Sequence, residues 1–269
     1  MIIDFHTHIF PPKIARMALD KLEDNMESVQ GAKLVKRNTD GTVTGLLAEM
    51  EKSDVDISVV MPIATKPSQF KSITEYAKEV SLIKNIFSFG SIHPDGNYKE
   101  ELKILKEENF IGIKLHPEFQ NFYIDDEVVT DIVNLAKELN LYVLFHCGAD
   151  YGYRPPFKCT PKRLKTLIQK TGGENIICAH FGGFLMWDEV LELIAGTPVF
   201  LDTSLTSGII DIETMRKIID KHGADRILFG SDSPWQSQKK AFEIINRLEL
   251  KKDDYDKISH KNAMKILGI

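Results

Sequence analysis

Residues 2–8 read Ile-Ile-Asp-Phe-His-Thr-His, a short apolar run that ends in two histidines. Side chains alternate between the two faces of a strand, so His6 and His8 project to the same side. Two imidazoles placed in this way can bind one divalent cation. A histidine pair is a weak signal by itself, so the remaining strand-like segments decide what this stretch means.

An apolar segment of this kind occurs eight times along the chain. The predicted strands are residues 2–6, 57–62, 86–92, 111–116, 141–146, 176–180, 198–202 and 227–230. Stretches with apolar residues at helical spacing separate them, and a closing helix is predicted over residues 253–267. Strands that alternate with helices form right-handed βαβ units and a parallel sheet. The pattern therefore predicts a closed (β/α)8 TIM barrel of the α/β class.

The alternative fold is an open, doubly wound α/β sheet. Such a sheet normally has a glycine-rich turn after its first strand when it binds a nucleotide. Here the first strand runs into His-Thr-His-Ile-Phe-Pro-Pro at residues 6–12. Barrels routinely form one unit of about 250 residues. The chain is accordingly predicted to be a single barrel domain over residues 1–269.

An irregular stretch over about residues 10–44 is predicted to be an insertion after the first strand. It begins with a helix-like segment at residues 13–22. It continues into Asn-Thr-Asp-Gly-Thr at residues 38–42, which predicts a hairpin turn flanked by residues 34–35 and Val43. Loops that follow barrel strands lie at the catalytic face. We therefore expect the insertion to shape the pocket.

Composition limits the choice of partners. The chain has 34 basic and 39 acidic residues, a net charge of −5, which argues against a nucleic-acid partner. Three cysteines without paired spacing do not indicate a disulfide framework, so we expect a reducing, cytoplasmic location. No apolar run approaches the roughly 20 residues of a membrane span. A small-molecule substrate is predicted, and a homodimer is an open expectation because dimers are the commonest soluble assembly.

Further polar side chains stand where other predicted strands end. His116, His146 and His180 end the fourth, fifth and sixth strands, and Asp232 follows the eighth. Barrel active sites are built at these carboxyl ends. A carboxylate at Asp232 could bind a metal, orient a water molecule and accept its proton. The alternative for Asp232 is a solvated loop acid or a helix cap, and each histidine could instead be a buried core residue.

Lys114 shares a strand face with His116. Lysine is almost never fully buried without a partner. The sequence leaves three roles open for an inward Lys114. It could bind a carboxylate, it could form a carbamate that bridges two metals, or it could be a structural partner for Asp4.

Five motifs occur in order along nearly the whole chain. They are Asp-Phe-His-Thr-His at residues 4–8, Gly-Ile-Lys-Leu-His-Pro at 112–117, Phe-His-Cys-Gly at 145–148, Ala-His-Phe-Gly-Gly at 179–183 and Phe-Gly-Ser-Asp-Ser-Pro-Trp at 229–235. Together they resemble the amidohydrolase superfamily. Within it, the chain is similar to the amidohydrolase-related branch that includes aminocarboxymuconate semialdehyde decarboxylase and related hydrolases and decarboxylases.

The resemblance implies a divalent metal, usually zinc, as one ion or two. It implies a ligand set made of His6, His8, His146 and Asp232. His180 would lie beside the open coordination position and act on the substrate, and Asp232 would take the proton of an activated water. Asp4 would support the ligands. The motif at residues 112–117 is a departure, because the decarboxylase members need not carry it. Lys114 and His116 could therefore mark a hydrolase-type site, where with His180 they would hold a second metal or the substrate.

The resemblance favours a metal-dependent hydrolase that attacks an amide, ester or lactone of a small, carboxylate-bearing substrate. The alternative is a non-oxidative decarboxylase with the same ligands. Two minor alternatives are a TatD-like nuclease and a barrel that binds metal without catalysis. TatD-like nucleases typically have a glutamate at the end of strand four, where this chain has Lys114 and His116.

Three further residues are candidate substrate contacts. Arg154 could clamp a substrate carboxylate, or could be a surface residue on a proline-braced loop. His93 follows the third strand and could touch the substrate or serve as a turn residue. Trp235 could form a wall of the pocket.

Overall fold

The strands of the protein follow the predicted order in a computed structural model that describes residues 1–269. All eight predicted strands are confirmed, with ends that differ by a few residues. They are β1 Ile3–Thr7, β2 Ile57–Val60, β3 Ile86–Ser88, β4 Gly112–Leu115, β5 Tyr142–Phe145, β6 Ile176–Cys178, β7 Phe200–Asp202 and β8 Ile227–Leu228.

Helices separate the strands and flank the ring that they form. They are α1 Pro12–Gln30, α2 Val43–Ser53, α3 Phe70–Ser81, α4 Tyr98–Glu107, α5 Pro117–Gln120, α6 Glu127–Glu138, α7 Pro161–Thr171, α8 Trp187–Leu193, α9 Ile212–His222, α10 Gln238–Arg247, α11 Lys252–Asp256 and α12 Asn262–Leu267. The predicted closing helix is present as α11 and α12, joined by a π-helical turn at Lys257–Lys261. No helix is both long enough and apolar enough to cross a membrane.

The strands form two parallel sheets, β1-β2-β3 and β4-β5-β6-β7-β8, and main-chain hydrogen bonds connect their edges. Between β3 and β4, Gly90 N–H donates to Gly112 O and Lys114 N–H donates to Gly90 O, each at 2.9 Å. Between β8 and β1, Phe5 N–H donates to Phe229 O at 2.8 Å. Both open edges are therefore paired, and the prediction of a TIM barrel is confirmed.

One apolar cluster lies inside the ring. Phe5, Leu144 and Ile177 belong to it although they come from β1, β5 and β6, and Ile266 of α12 joins them. Side chains from strands on opposite sides of a ring can meet only in its interior, so α12 covers one end of the barrel. A second, larger cluster packs the helices against the outer faces of β4 to β8.

The segment between β1 and α2 differs from its prediction in two respects. The helix expected at residues 13–22 continues to Gln30 as α1. The predicted hairpin around residues 38–42 is wrong, because no strand flanks these residues and α2 begins directly after them. Asp40 Oδ1 accepts the N–H of Thr42 at 2.9 Å, and Thr42 Oγ1 in turn accepts the N–H of Gly45 at 3.1 Å as the cap of α2.

Candidate active site

The predicted site residues gather at the carboxyl ends of the strands, where they line one cavity of about 830 Å³. Half of the residues that line this cavity are hydrophobic. The predicted ligands, His180, Lys114 and His116 all contribute to its wall, and α1 of the insertion contributes a further side. The expectation that the insertion shapes the pocket agrees with this arrangement.

His6, His8 and Asp232 form the first group of ligand atoms. His6 Nε2 lies 3.1 Å from His8 Nε2. Asp232 Oδ1 lies 3.5 Å from His6 Nε2 and 3.1 Å from His8 Nε2. The other ring nitrogens face acceptors, since His6 Nδ1 is 2.8 Å from Asp202 Oδ2 and His8 Nδ1 is 2.7 Å from the carbonyl oxygen of Met61.

These contacts decide where each imidazole carries its proton. Carboxylate and carbonyl oxygens only accept, so the proton of His6 and that of His8 sit on Nδ1. Burial also lowers the pKa of His6 well below its usual value, which keeps the ring neutral. With both rings in this tautomer, two nitrogen lone pairs and a carboxylate oxygen converge. This donor set fits a divalent cation, because metal-binding histidines usually donate their other N–H to such an acceptor.

His146 and His180 form a second pair of the same kind. His180 Nδ1 donates to Ser204 O at 3.0 Å, and His146 Nε2 donates to Ala149 O at 2.9 Å. The remaining nitrogens, His180 Nε2 and His146 Nδ1, face each other at 3.0 Å as two lone pairs. Burial lowers the pKa of His180 to about 3. His146 thus offers the lone pair expected of a ligand, although its nearest partner is His180 rather than the first group.

Asp202 connects the two pairs, and sequence reasoning missed it. Its Oδ2 accepts the Nδ1–H of His6, and its Oδ1 accepts the main-chain N–H groups of His180 and Ser204, each at 3.0 Å. The Ser204 hydroxyl donates to the same oxygen and lies 2.9 Å from His180 Nδ1. The available signal was position, because Asp202 ends the seventh strand just as His146 follows the fifth.

Asp4 supports the site from outside it. Asp4 Oδ1 accepts the N–H of Ser231 at 2.9 Å and that of His6 at 3.1 Å. Its Oδ2 accepts from the Ser231 hydroxyl and from Gln238 Nε2 at 2.8 Å. Asp4 therefore fixes the backbone on both sides of the β1–β8 junction, and it does not touch the ligand nitrogens.

Backbone conformation also aims two of these side chains. His180 has φ of 58° and Asp232 has φ of 68°, in the left-handed region that costs a non-glycine residue about 1 kcal/mol or more. The His180 N–H bond to Asp202 and a 2.8 Å bond from Asp232 N–H to His6 O hold these conformations. Strained residues of this kind concentrate at functional sites.

His116 belongs to a separate group with His146 and Asp150. Its Nδ1 accepts the N–H of Phe119 at 3.4 Å, so its Nε2 carries the proton toward Asp150 Oδ2 at 3.3 Å. Its ring is stacked between those of Phe119 and His146, with centroids 3.7 Å and 4.2 Å away. The structure does not assemble Lys114, His116 and His180 into the ligand set predicted for a second metal, because His116 is bonded away from the other two.

Of the candidate substrate contacts, only Trp235 lines the cavity. Arg154 is exposed, and its guanidinium donates to the carbonyl oxygen of Val29 in α1 at 3.2 Å. His93 accepts the N–H of Asp95 at 3.1 Å within a turn outside the cavity. Both side chains contact main-chain groups outside the cavity, so the substrate contacts of Arg154 and His93 stay predictions.

The comparison with family models gives one decisive match. A model described as amidohydrolase covers residues 3–269. The chain belongs to the amidohydrolase family. The resemblance drawn from the five sequence motifs is thereby confirmed. No curated protein sequence matches the chain.

Several solved structures share the fold of this amidohydrolase chain. A 5-carboxyvanillate decarboxylase from Sphingomonas paucimobilis is 16% identical with a TM-score of 0.70, over 100% of this chain and 99% of that one. A TIM-barrel protein from Bordetella bronchiseptica is 15% identical with a TM-score of 0.73, over 99% and 98%. A dihydroxybenzoic acid decarboxylase from Polaromonas, with bound manganese, is 14% identical with a TM-score of 0.68, over 99% and 96%. At these identities the likeness establishes the fold.

Proposed function

We propose that this amidohydrolase-family chain is a metal-dependent, non-oxidative decarboxylase of a small aromatic or unsaturated carboxylic acid. The observation that carries the proposal is the half-apolar cavity that opens directly onto the candidate metal ligands. The decarboxylases with the same fold, named for carboxyvanillate and dihydroxybenzoic acid, support this choice over the hydrolysis favoured by the sequence.

The cavity wall suits a planar, unsaturated substrate. Phe119, Tyr153, Phe184 and Trp235 all contribute to it. The rings of Phe119 and Tyr153 lie 5.9 Å apart, and that of Phe184 lies 5.7 Å from His180. Aromatic pairs contribute about 0.5–1.5 kcal/mol beyond the burial of their area. An apolar wall also excludes water from a bound carboxylate, which favours its loss as uncharged carbon dioxide.

His6, His8 and Asp232 would hold the cation. His146, the fourth ligand that the resemblance implies, directs its Nδ1 to His180 Nε2 at 3.0 Å. When bound, the cation supplies positive charge that orients the substrate and stabilises developing negative charge. In the reaction the bond between the substrate carbon and its carboxylate carbon breaks and carbon dioxide leaves. The electron pair left on the substrate carbon takes one proton, which comes from water. His180 Nε2 is on the cavity wall and is not one of the atoms that would hold the cation, so it can carry that proton from water to the substrate.

We propose one cation per chain. In the group of His116, His146 and Asp150, both ring nitrogens that face Asp150 carry protons, since His146 Nε2 donates to Ala149 O. In this arrangement the group directs N–H bonds rather than lone pairs to the point that a second metal would occupy. Nitrogen and carboxylate ligands accept both zinc, expected from the sequence, and manganese, which is bound in the Polaromonas structure.

Hydrolysis is the second candidate. The placement of Asp232 Oδ1 within 3.5 Å of both first-group histidines favours it, because a carboxylate there can accept the proton of an attacking water. A TatD-like nuclease and a barrel without catalysis stay minor predictions. A half-apolar cavity does not suit a phosphate backbone, whose binding rests on basic side chains.

The test measures carbon dioxide release by protein reconstituted with zinc or with manganese. Hydroxybenzoates, carboxyvanillate and aminomuconate-like acids form one panel, and esters, lactones and amides form the other. We expect release from the first panel, and none from protein stripped of metal. Turnover of the second panel alone would contradict decarboxylation and support hydrolysis. Protein that binds no metal and turns over neither panel would overturn both. Size-exclusion chromatography would test the expectation of a homodimer.

A further inference from the structure

Lys114 is a buried cation without a carboxylate partner. Its side chain is 1% exposed, and its only polar contact is a 3.4 Å approach of Nζ to His6 Nε2. It takes part in none of the ion pairs at the site, which join His6 and His8 to Asp202 and Asp232. Asp4, a candidate partner in the sequence, is saturated by Ser231 and Gln238 instead.

A cation bound at the site would remove the one polar contact of the Lys114 ammonium. The lone pair of His6 Nε2 that faces Lys114 is the one that the cation would take. The bound cation and the Lys114 ammonium would then lie side by side in the buried wall of the cavity. An unpaired charge in such a place is strongly destabilising. An anion placed between them removes this cost. Lys114 lines the cavity, so the anion can come from a bound ligand.

The remaining cations near the cavity are exposed or bonded elsewhere. Lys13 and Lys21 lie on α1 at the mouth of the cavity, and both are exposed. Arg154, the clamp expected from the sequence, is bonded to Val29 outside the cavity. No arginine lines the cavity.

We propose that Lys114 binds the carboxylate of the substrate, against the cation held by His6, His8 and Asp232, and so makes the site specific for carboxylic acids. This inference rests on the proposed function, because it assumes a carboxylate-bearing substrate. Lysine offers three N–H donors as a compact charge, and two of them are free to reach such a group.

The experiment compares benzoate with benzamide, two unreactive ligands of similar shape that differ in charge. Calorimetric titration of the metal-loaded protein gives both affinities for the original chain, Lys114→Met and Lys103→Met. Methionine has a similar unbranched stem and no charge. Lys103 is exposed on α4 and serves as the matched control. We expect Lys114→Met to weaken benzoate by about 30-fold or more and to leave benzamide nearly unchanged, with no effect of Lys103→Met.

Two further measurements separate this role from others. Elemental analysis should find the same metal content in Lys114→Met, since loss of metal would make Lys114 a support of the ligands and overturn the proposal. A carbamate signal on Lys114 in carbon-13 NMR after incubation with labelled bicarbonate would overturn it too. Lys114→Gln, which keeps an N–H donor without charge, is the second variant if the methionine protein does not fold. It should lose the same preference for benzoate.

The outcomes distinguish this inference from the proposed function. Carbon dioxide release with equal affinities for benzoate and benzamide would overturn the role of Lys114 alone. A benzoate preference that depends on Lys114, in a protein that releases no carbon dioxide, would support the inference and overturn decarboxylation.

Discussion

Replacing Asp202 by asparagine tests whether one carboxylate sets the protonation of the metal site. Asp202 is fully buried, and it accepts from His6 Nδ1 through one oxygen and from His180 and Ser204 through the other. Asparagine has nearly the same shape, but one of its two ends is an NH2 group that only donates. The substitution therefore changes the direction of hydrogen bonds with little change in packing.

The hydrogen bonds now made by Asp202 determine the orientation that the asparagine amide would adopt. Its oxygen would stay with the N–H groups of His180 and Ser204, so its NH2 would face His6 Nδ1. Two donors cannot share a hydrogen bond, and His6 would have to move its proton to Nε2, the atom that faces the cation. Loss of such an orienting carboxylate typically weakens metal binding about 10- to 100-fold, or about 1.4 to 2.7 kcal/mol.

Competition against a chromophoric chelator would measure this affinity for manganese and zinc. Asp211→Asn is the matched control, because Asp211 is exposed and accepts the N–H of Thr214 at 2.8 Å as the cap of α9, away from the site. We expect the control to bind metal as the original protein does. An Asp202→Asn protein whose metal affinity also stays within about twofold would refute the assignment of protons at His6.

Three further predictions concern catalysis, metal and pH. His180→Asn should abolish turnover while metal content, by elemental analysis, stays unchanged; undiminished turnover would remove His180 from catalysis. Manganese at about 100 times its dissociation constant should raise the free energy of unfolding by about 2.7 kcal/mol, measured by denaturant titration, with no such gain in His6→Asn. Burial raises the pKa of Asp4 from 3.8 to about 6, so folded protein holds this proton more tightly than the unfolded chain does. Stability from this group is therefore lost as pH rises between those values, by about 3 kcal/mol. In urea unfolding of metal-free protein, the stability of the original chain relative to Asp4→Asn should fall from about pH 4 to about pH 7, and a constant difference would contradict it.

The order of strands and helices could be predicted because each strand is a short apolar run bounded by polar residues. The structure of the insertion was harder to predict, because Asp40, Gly41 and Thr42 suit both a hairpin turn and the start of a helix. What decides between them is whether the following residues continue as a strand or a helix. Leu46 and Met50 lie four residues apart, and both are buried on one face of α2. The residues after Thr42 therefore continue as a helix.

The site could be predicted as far as position in the barrel determines it. His6, His8, His146, His180 and Asp232 meet because the carboxyl ends of parallel strands lie at one end of the ring. Loop residues follow no such rule. Arg154 follows β5 by nine positions, and its loop carries its guanidinium to the carbonyl oxygen of Val29 in α1. Only the path of the folded loop determines whether such a residue faces the substrate.

The protonation of each histidine could not be predicted, because main-chain atoms determine much of it. The carbonyl groups of Met61, Ala149 and Ser204 take the N–H of His8, His146 and His180 and turn a lone pair toward the cavity. The N–H of Phe119 does the opposite to His116, which presents a proton instead. Carbonyl and N–H groups occur at every position, so the sequence cannot show which of them an imidazole will meet. The course of the neighbouring backbone thus decides whether a histidine at a strand end presents a lone pair, as a candidate metal ligand does, or an N–H donor.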